Sequence, residues 1–398
     1  MAIEPRLDAL VAAALADGVR ASDVVDLSRL FGEERAKRGA DYMTNPALRR
    51  AYLAFFLPQY AAKIALLLAQ MQRERLLSLP NAPRVLDVGA GPLTGLFGAW
   101  LMAGALGPSI ALDLAGKVMQ AGKALLDEVA PGQPVTLVEA PALKRSVPDG
   151  PFDLVIVAHM LNEIGDPRRD LEMRADLVRA LLEQLAPGGR LLIVEPGTRV
   201  HGRSLMALRD LLVRDGVPVL SPCRGAPQCP LLQSPGDWCH GDVAWTRPRA
   251  FIELEDKAGL RKDVLKQSHL LLSALGEAQV PTSGLRLVGG LMRDKFDVER
   301  RYACGRSGLI VLSAKPKLAA DIAKPLRHGL LTREPRPEEI QRERGVRPAA
   351  ERGSRDAARG DARSDPRGPR GGGPRRGKTD ARKQGRGPSA GRGRAPSR

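Results

Sequence analysis

The stretch "RVLDVGAGPLTG" at residues 84–95 reads as a short apolar strand that ends in a glycine-rich turn and opens a helix. Val85, Leu86 and Val88 suit a strand buried on both faces of a sheet. Gly89 and Gly91 follow at once. Glycines at the end of a first strand let a ligand approach the backbone at a helix N-terminus, where unpaired N–H groups point outward.

The segments around this turn repeat its rhythm. "SIALDLA" (109–115) is a second strand that ends in Asp113, "PVTLVEA" (134–140) a third, "FDLVIVAHM" (152–160) a fourth and "GGRLLIVEPG" (188–197) a fifth. Helical stretches separate them. The alternation predicts a doubly wound, mostly parallel α/β sheet with helices on both faces. "GLRLVGGLM" (284–292) and "SGLIVLSAKP" (307–316) are expected to complete that sheet as an antiparallel edge pair. The domain so defined runs over 81–316, with an insertion at 197–284 between strands five and six.

Residues 1–80 read as a helical region. Apolar residues recur at helical spacing, and Asn45-Pro46 makes a cap and first helical position. This region is either a plain cover for the sheet or, through Arg49-Arg50 and "RAKRG" (35–39), a contact for nucleic acid. Its most apolar part, "AYLAFFLPQYAAKIALLLAQ" (51–70), is interrupted by Pro58, Gln59 and Lys63, so no membrane span is expected. The first residues lack the basic start of a signal peptide, and the chain reads as cytoplasmic.

Formal net charge is +17, and residues 351–398 carry +10 of it. A balance this basic implies a polyanionic partner, nucleic acid or an acidic membrane surface. From residue 317 the chain is expected to become a disordered Arg/Gly/Pro-rich tail, too poor in apolar residues to form a core. Such a tail suits salt-sensitive contact with nucleic acid, or simple solubilisation.

The form "DVGAGPLTG" (87–95) resembles the first motif of class I S-adenosylmethionine-dependent methyltransferases, which have a Rossmann-like sheet. A dinucleotide-binding turn would place a third glycine where this chain has Thr94. The resemblance implies that Asp87 lies near the methionine amino group, that Gly89 and Gly91 line the turn under the cofactor, and that Asp113 binds the ribose hydroxyls. Relatives usually carry a small residue at the place of Leu93. No methyl-acceptor motif is recognisable after strand four, where "AHMLNEI" (158–164) offers only His159, Asn162 and Glu163 as polar candidates. Pro222-Cys223 has the look of a cytosine-methylating pair but follows strand five.

Cys223, Cys229 and Cys239 crowd one Pro/Gly-rich loop, and Cys304 lies far downstream. In a reducing compartment such cysteines are better metal ligands than disulfides. The paired C-x2-C knuckles of a structural zinc site are missing. One site of four thiolates would suit a [4Fe–4S] cluster or zinc, and His240 could replace one cysteine in a Cys3His zinc site.

The combination resembles the methyltransferase-like assembly factors of the small ribosomal subunit, known in mitochondria and with bacterial relatives. The residues that carry it are "AYLAFFLPQYAA" (51–62), "LDVGAGPLTG" (86–95), "HMLNE" (159–163), "IVEPGT" (193–198), "CRGAPQCPL" (223–231), "DWCH" (237–240) and the late Cys304. The resemblance implies a [4Fe–4S] cluster on Cys223, Cys229, Cys239 and Cys304, bound S-adenosylmethionine, and a monomeric bacterial factor that binds small-subunit rRNA during assembly and supports translation. An active rRNA methyltransferase and a small-molecule methyltransferase are the alternative functions.

Overall fold

The computed structural model describes residues 3–32, 43, 45–166, 170–277, 284–293, 298–314, 322, 324–332, 335 and 339–341. "RAKRG" and the Arg/Gly-rich segment of 351–398 lie outside the described residues. All the described residues belong to one compact unit, Met1–Glu343.

Five parallel strands form the centre: β1 (Val85–Val88), β2 (Ser109–Asp113), β3 (Val135–Glu139), β4 (Phe152–Ala158) and β5 (Leu185–Pro196), in the order β3-β2-β1-β4-β5. Alternate residues of each inner strand serve two cores. Leu154, Ile156, Leu192 and Val194 face one apolar cluster, while Val155, Val157, Leu191 and Ile193 face the other. Residues of α1 (Ile3–Leu15), α2 (Ala21–Phe31), α4 (Leu57–Arg73), α5 (Thr94–Ala103), α6 (Gly116–Val129) and α9 (Arg249–Ala258) fill the first cluster. Those of α7 (Leu171–Leu182) and α8 (Arg199–Arg214) fill the second. The N-terminal helices are therefore part of one face of the doubly wound sheet.

Asn45 caps α3 (Pro46–Ala51), its side chain accepting from Ala47 N at 2.9 Å. A π-helical turn, Tyr52–Phe56, joins α3 to α4. The turn closes with Leu57 N donating to Tyr52 O, and Pro58 stands in the first turn of α4, where a missing donor is tolerated, so the proline does not end the helical run. The Gln59 amide donates to the Phe55 carbonyl at 2.6 Å. By length and composition Pro46–Arg73 could cross a membrane, but 78% of its most apolar window is buried inside the protein.

The rest of the sheet differs from the expectation. The strand beside β5 is β8 (Val264–Leu272), antiparallel to it from Leu191↔Leu272 to Pro196↔Gln267. Beyond it, β6 (Val219–Ser221) and β7 (Gly241–Ala244) both pair antiparallel with β8. Residues 197–284 are thus no excursion between strands five and six. They complete the main sheet, and the cysteine loop follows β6. Three-residue β6 is too short to show a period, and the polar run Lys266–His269 masks β8.

The two strands expected at the edge belong to a second sheet. It contains β9 (Leu285–Leu287), β10 (Met292–Arg293), β11 (Glu299–Gly305), β12 (Gly308–Ala314), β13 (Leu330–Leu331) and β14 (Ile340–Gln341). Leu287, Ala303, Leu312, Ile322 and Leu331 form its small core. Ile322, Leu331 and the last two strands lie within the tail expected from 317, so folded structure extends further than composition suggested.

Candidate cofactor turn and cysteine cavity

The strand order reverses between β1 and β4, which opens a crevice at their carboxyl ends. The glycine turn stands there. Gly89 (φ 68°) packs so closely on Met160 that a Cβ would lie 2.2 Å from its Cγ. Gly91 (φ 51°) has nothing within 4 Å of its Cβ position, so the turn is open at that point. Asp113 reaches across from β2, accepting from Gly91 N and Ala115 N at 2.8 Å each. A carboxylate offers about four lone-pair positions, so both oxygens keep acceptor capacity for hydroxyls.

Asp87 Oδ2 accepts from Gly95 N at 2.8 Å and Leu96 N at 3.1 Å, which caps α5. Its Oδ1 is buried and has no hydrogen-bond partner. Burial pushes the Asp87 carboxyl up to about 7, against the pull of those two N–H groups. Leu93 takes a left-handed conformation (φ 63°) at the N-cap of α5, with its side chain in the main core. The structure thus brings Asp87, Gly89, Gly91 and Asp113 together at one crevice.

His159 follows β4 with φ 60°. Its Nε2 lies 3.4 Å from Lys63 Nζ, and its ring packs on Tyr60 with centroids 4.4 Å apart. Burial lowers Lys63 to about 7 and holds His159 well below its usual value. Asn162 donates to Glu195 Oε2 and to the His159 carbonyl, both at 2.7 Å. Glu195, buried at the end of β5, is pushed up to about 7 by burial. In the sequence Lys63 stands out only as an interruption of an apolar helix. Its place beside His159 depends on packing that no local pattern records.

Cys223, Cys229, Cys239 and Cys304 line one cavity with Arg209, Arg224, Pro230, Leu231 and Val288. The loop after β6 supplies three of them, and β11 supplies Cys304. Burial raises all four thiols, Cys229 to about 11. Arg209 opposes this at Cys223 through its charge and a hydrogen bond. Among the described residues no group of three or more His, Cys, Asp or Glu side chains is arranged to hold a metal ion.

His240 is not one of the lining residues. Its ring stacks on Trp238 and its Nε2 faces Arg327 at 2.8 Å. The histidine that approaches a cysteine is His328, with Nε2 3.2 Å from Cys239 Sγ. It lies in the expected tail, where nothing in the local sequence marks it.

Five parallel strands, antiparallel β8 set between β5 and β6, and an open glycine turn at the switch point make this a methyltransferase-like α/β protein. The family described as mitochondrial small ribosomal subunit Rsm22 matches residues 48–268, more than half of the chain. The chain belongs to the Rsm22 family. It is also 35% identical over 115 residues to a ubiquinone/menaquinone biosynthesis C-methyltransferase, UbiE, of Pseudomonas fluorescens, covering 28% of this chain and 41% of that protein. A UbiE from Ectopseudomonas mendocina is 36% identical over 115 residues, with the same shares covered. The chain therefore spans less than half the length of these curated relatives. Among solved structures, an S-adenosylmethionine-dependent methyltransferase from Mesorhizobium loti aligns with TM-score 0.33 and 17% identity, over 53% of this chain and 97% of that one. The magnesium protoporphyrin IX methyltransferase of Synechocystis aligns with TM-score 0.34 and 14% identity, over 63% and 97%.

Proposed function

We propose that the chain is a cytoplasmic assembly factor of the small ribosomal subunit that supports translation, binding rRNA, with S-adenosylmethionine at its glycine turn and an iron–sulfur cluster on its four cysteines. The observation that carries this reading is the convergence of Cys223, Cys229, Cys239 and Cys304 on one cavity in an Rsm22-family chain.

The residues present fit both groups. At the turn, the open space beside Gly91, the spare acceptor capacity of Asp113 and the buried, unpartnered Asp87 Oδ1 support a nucleoside-type cofactor with an ammonium group. At the cavity, four cysteines on one pocket supply the all-thiolate donor set that an iron–sulfur cluster takes, a set that zinc also accepts. Arg209, Arg224 and Arg286 stand close enough to the thiols to offset the negative charge of four thiolates. A metal also reverses the effect of burial, because it replaces the protons that burial otherwise holds on the sulfurs. Bound there, a cluster would join the loop after β6 to β11 of the second sheet.

A second reading, an active rRNA methyltransferase, is favoured by the buried bases Lys63 and His159 beside the crevice. The UbiE match covers too little of those proteins to bring their substrate with it.

The test is sedimentation with ribosomal particles. The full-length protein should travel with immature small subunits at low salt and be released steeply as salt rises, as phosphate contacts require. Protein that stays free of the particles at low salt would remove the assembly reading. If deletion leaves every small-subunit rRNA methylation in place while maturation fails, the second reading is excluded.

A further inference from the structure

The cysteine cavity is backed by a row of buried polar side chains that no cofactor contact accounts for. Ser221, Gln267, His269 and His328 are each at most 3% exposed. Ser221 Oγ lies 3.0 Å from His269 Nε2, and His269 Nδ1 lies 2.9 Å from Gln267 Oε1. An amide oxygen only accepts, so His269 carries its proton on Nδ1 and receives the Ser221 hydroxyl at Nε2. The far end of the Gln267 amide, Nε2, is a buried donor without a partner, and His328 Nδ1 is likewise buried and unpartnered. Both atoms stand 2.5 Å from the point where a Cβ on Gly241 would lie. Both border the space that the glycine leaves.

This arrangement fixes the His328 tautomer. A proton on Nδ1 would be one more orphaned buried donor facing the Gln267 N–H. A proton on Nε2 lets Nδ1 accept and aims the N–H at Cys239 Sγ, 3.2 Å away. The hydrogen bonds of the row then run one way: Ser221 donates to His269, His269 to Gln267, and His328 to the sulfur.

We propose that His328 donates its Nε2–H to the Cys239 sulfur, with Gln267, His269 and Ser221 polarising that donor from the main sheet, and that this row raises the reduction potential of the cluster. The proposal rests on the iron–sulfur reading above. Hydrogen bonds to cluster sulfurs favour the more electron-rich, reduced state, so their loss lowers the potential. His328 acts through Cys239 and is a positioning residue.

The experiment uses the full chain purified without oxygen: wild type, His328→Phe, His328→Gln and Gln267→Leu. Iron content, midpoint potential in a dye-mediated titration and the coupling of exchangeable deuterons to the reduced cluster are measured on each. We expect His328→Phe to keep its iron, to show a more negative potential and to lose the strongest deuteron coupling. His328→Gln, which retains an N–H donor, should lie nearer wild type. Gln267→Leu should shift in the same direction as Phe by less, since it weakens the donor without removing it. If His328→Phe does not retain iron, Gln267→Leu decides, because Gln267 does not line the cavity. Iron-loaded variants with the wild-type potential and an unchanged deuteron coupling overturn this proposal alone. A wild-type protein without iron overturns the iron–sulfur reading and this proposal with it.

Discussion

Glu74 holds Arg286 in a two-pronged ion pair, with nitrogen–oxygen distances of 2.8 and 2.6 Å. Glu74 caps the C-terminal end of α4, and Arg286 sits buried on β9. Arg286 is paired across the strands with Cys304 on one side, and its Nε donates to the Pro222 carbonyl, beside Cys223, at 3.1 Å. One guanidinium thus links the N-terminal helices to both segments that carry the cysteines. Glu74→Ala would leave a buried cation unpaired, a change that costs about 3–5 kcal/mol. Urea denaturation should show a loss of that size, and the variant should retain less iron than wild type.

Gly91→Arg places a long side chain in the open turn and a non-glycine residue at φ 51°. The backbone penalty is about 1–2 kcal/mol, small beside the loss of the binding space. Calorimetry should find S-adenosylmethionine binding abolished, with the visible absorption of the cysteine site unchanged. Binding at wild-type affinity would show that the cofactor does not use this turn.

Asp87 gives the fold a signed pH dependence. Its carboxyl is displaced upward by burial from 3.8 to about 7, so the folded chain holds a proton that the unfolded chain has released. The associated stability is present below about pH 4 and is lost as pH rises towards 7. The displacement corresponds to roughly 4 kcal/mol. Glu195, also pushed up to about 7, acts in the same sense. Thermal melts of Asp87→Asn should therefore fall less between pH 4.5 and 7 than those of wild type. Parallel curves would show that Asp87 ionises normally in the folded state.

Cys229→Ser and Cys304→Ser should each abolish the visible absorption and lower the melting temperature. Cys304→Ser should be no milder, since Cys304 is the ligand from the distant segment. A metal bridge across a loop of this length is worth roughly 4 kcal/mol by the chain-entropy estimate made for disulfides. Variants that melt like wild type would argue against any metal bridge.

The parallel half of the sheet was legible because β1, β2, β4 and β5 are apolar runs ending at turns, the signature of strands covered on both faces. The late strands were recognised but assigned to the wrong sheet. β8 was missed because Gln267 and His269 lie inside it, and polar residues look like a loop unless their buried partners are known. The glycine turn could be named because its chemistry requires particular residue types at short spacing, and the cysteine set because the chain has four cysteines in all and resembles a family that uses them together. Lys63, Arg286 and His328 could not, because each owes its role to a partner far away in the chain. The left-handed Leu93 was equally hidden, since leucine rarely adopts positive φ.

Oxygen-free purification of the full-length wild type, followed by iron, sulfide and zinc analysis with a visible spectrum, tests the cluster most directly. A brown protein with about four iron and four acid-labile sulfide per chain is expected. A colourless protein holding one zinc, or no metal, would contradict the iron–sulfur assignment on Cys223, Cys229, Cys239 and Cys304.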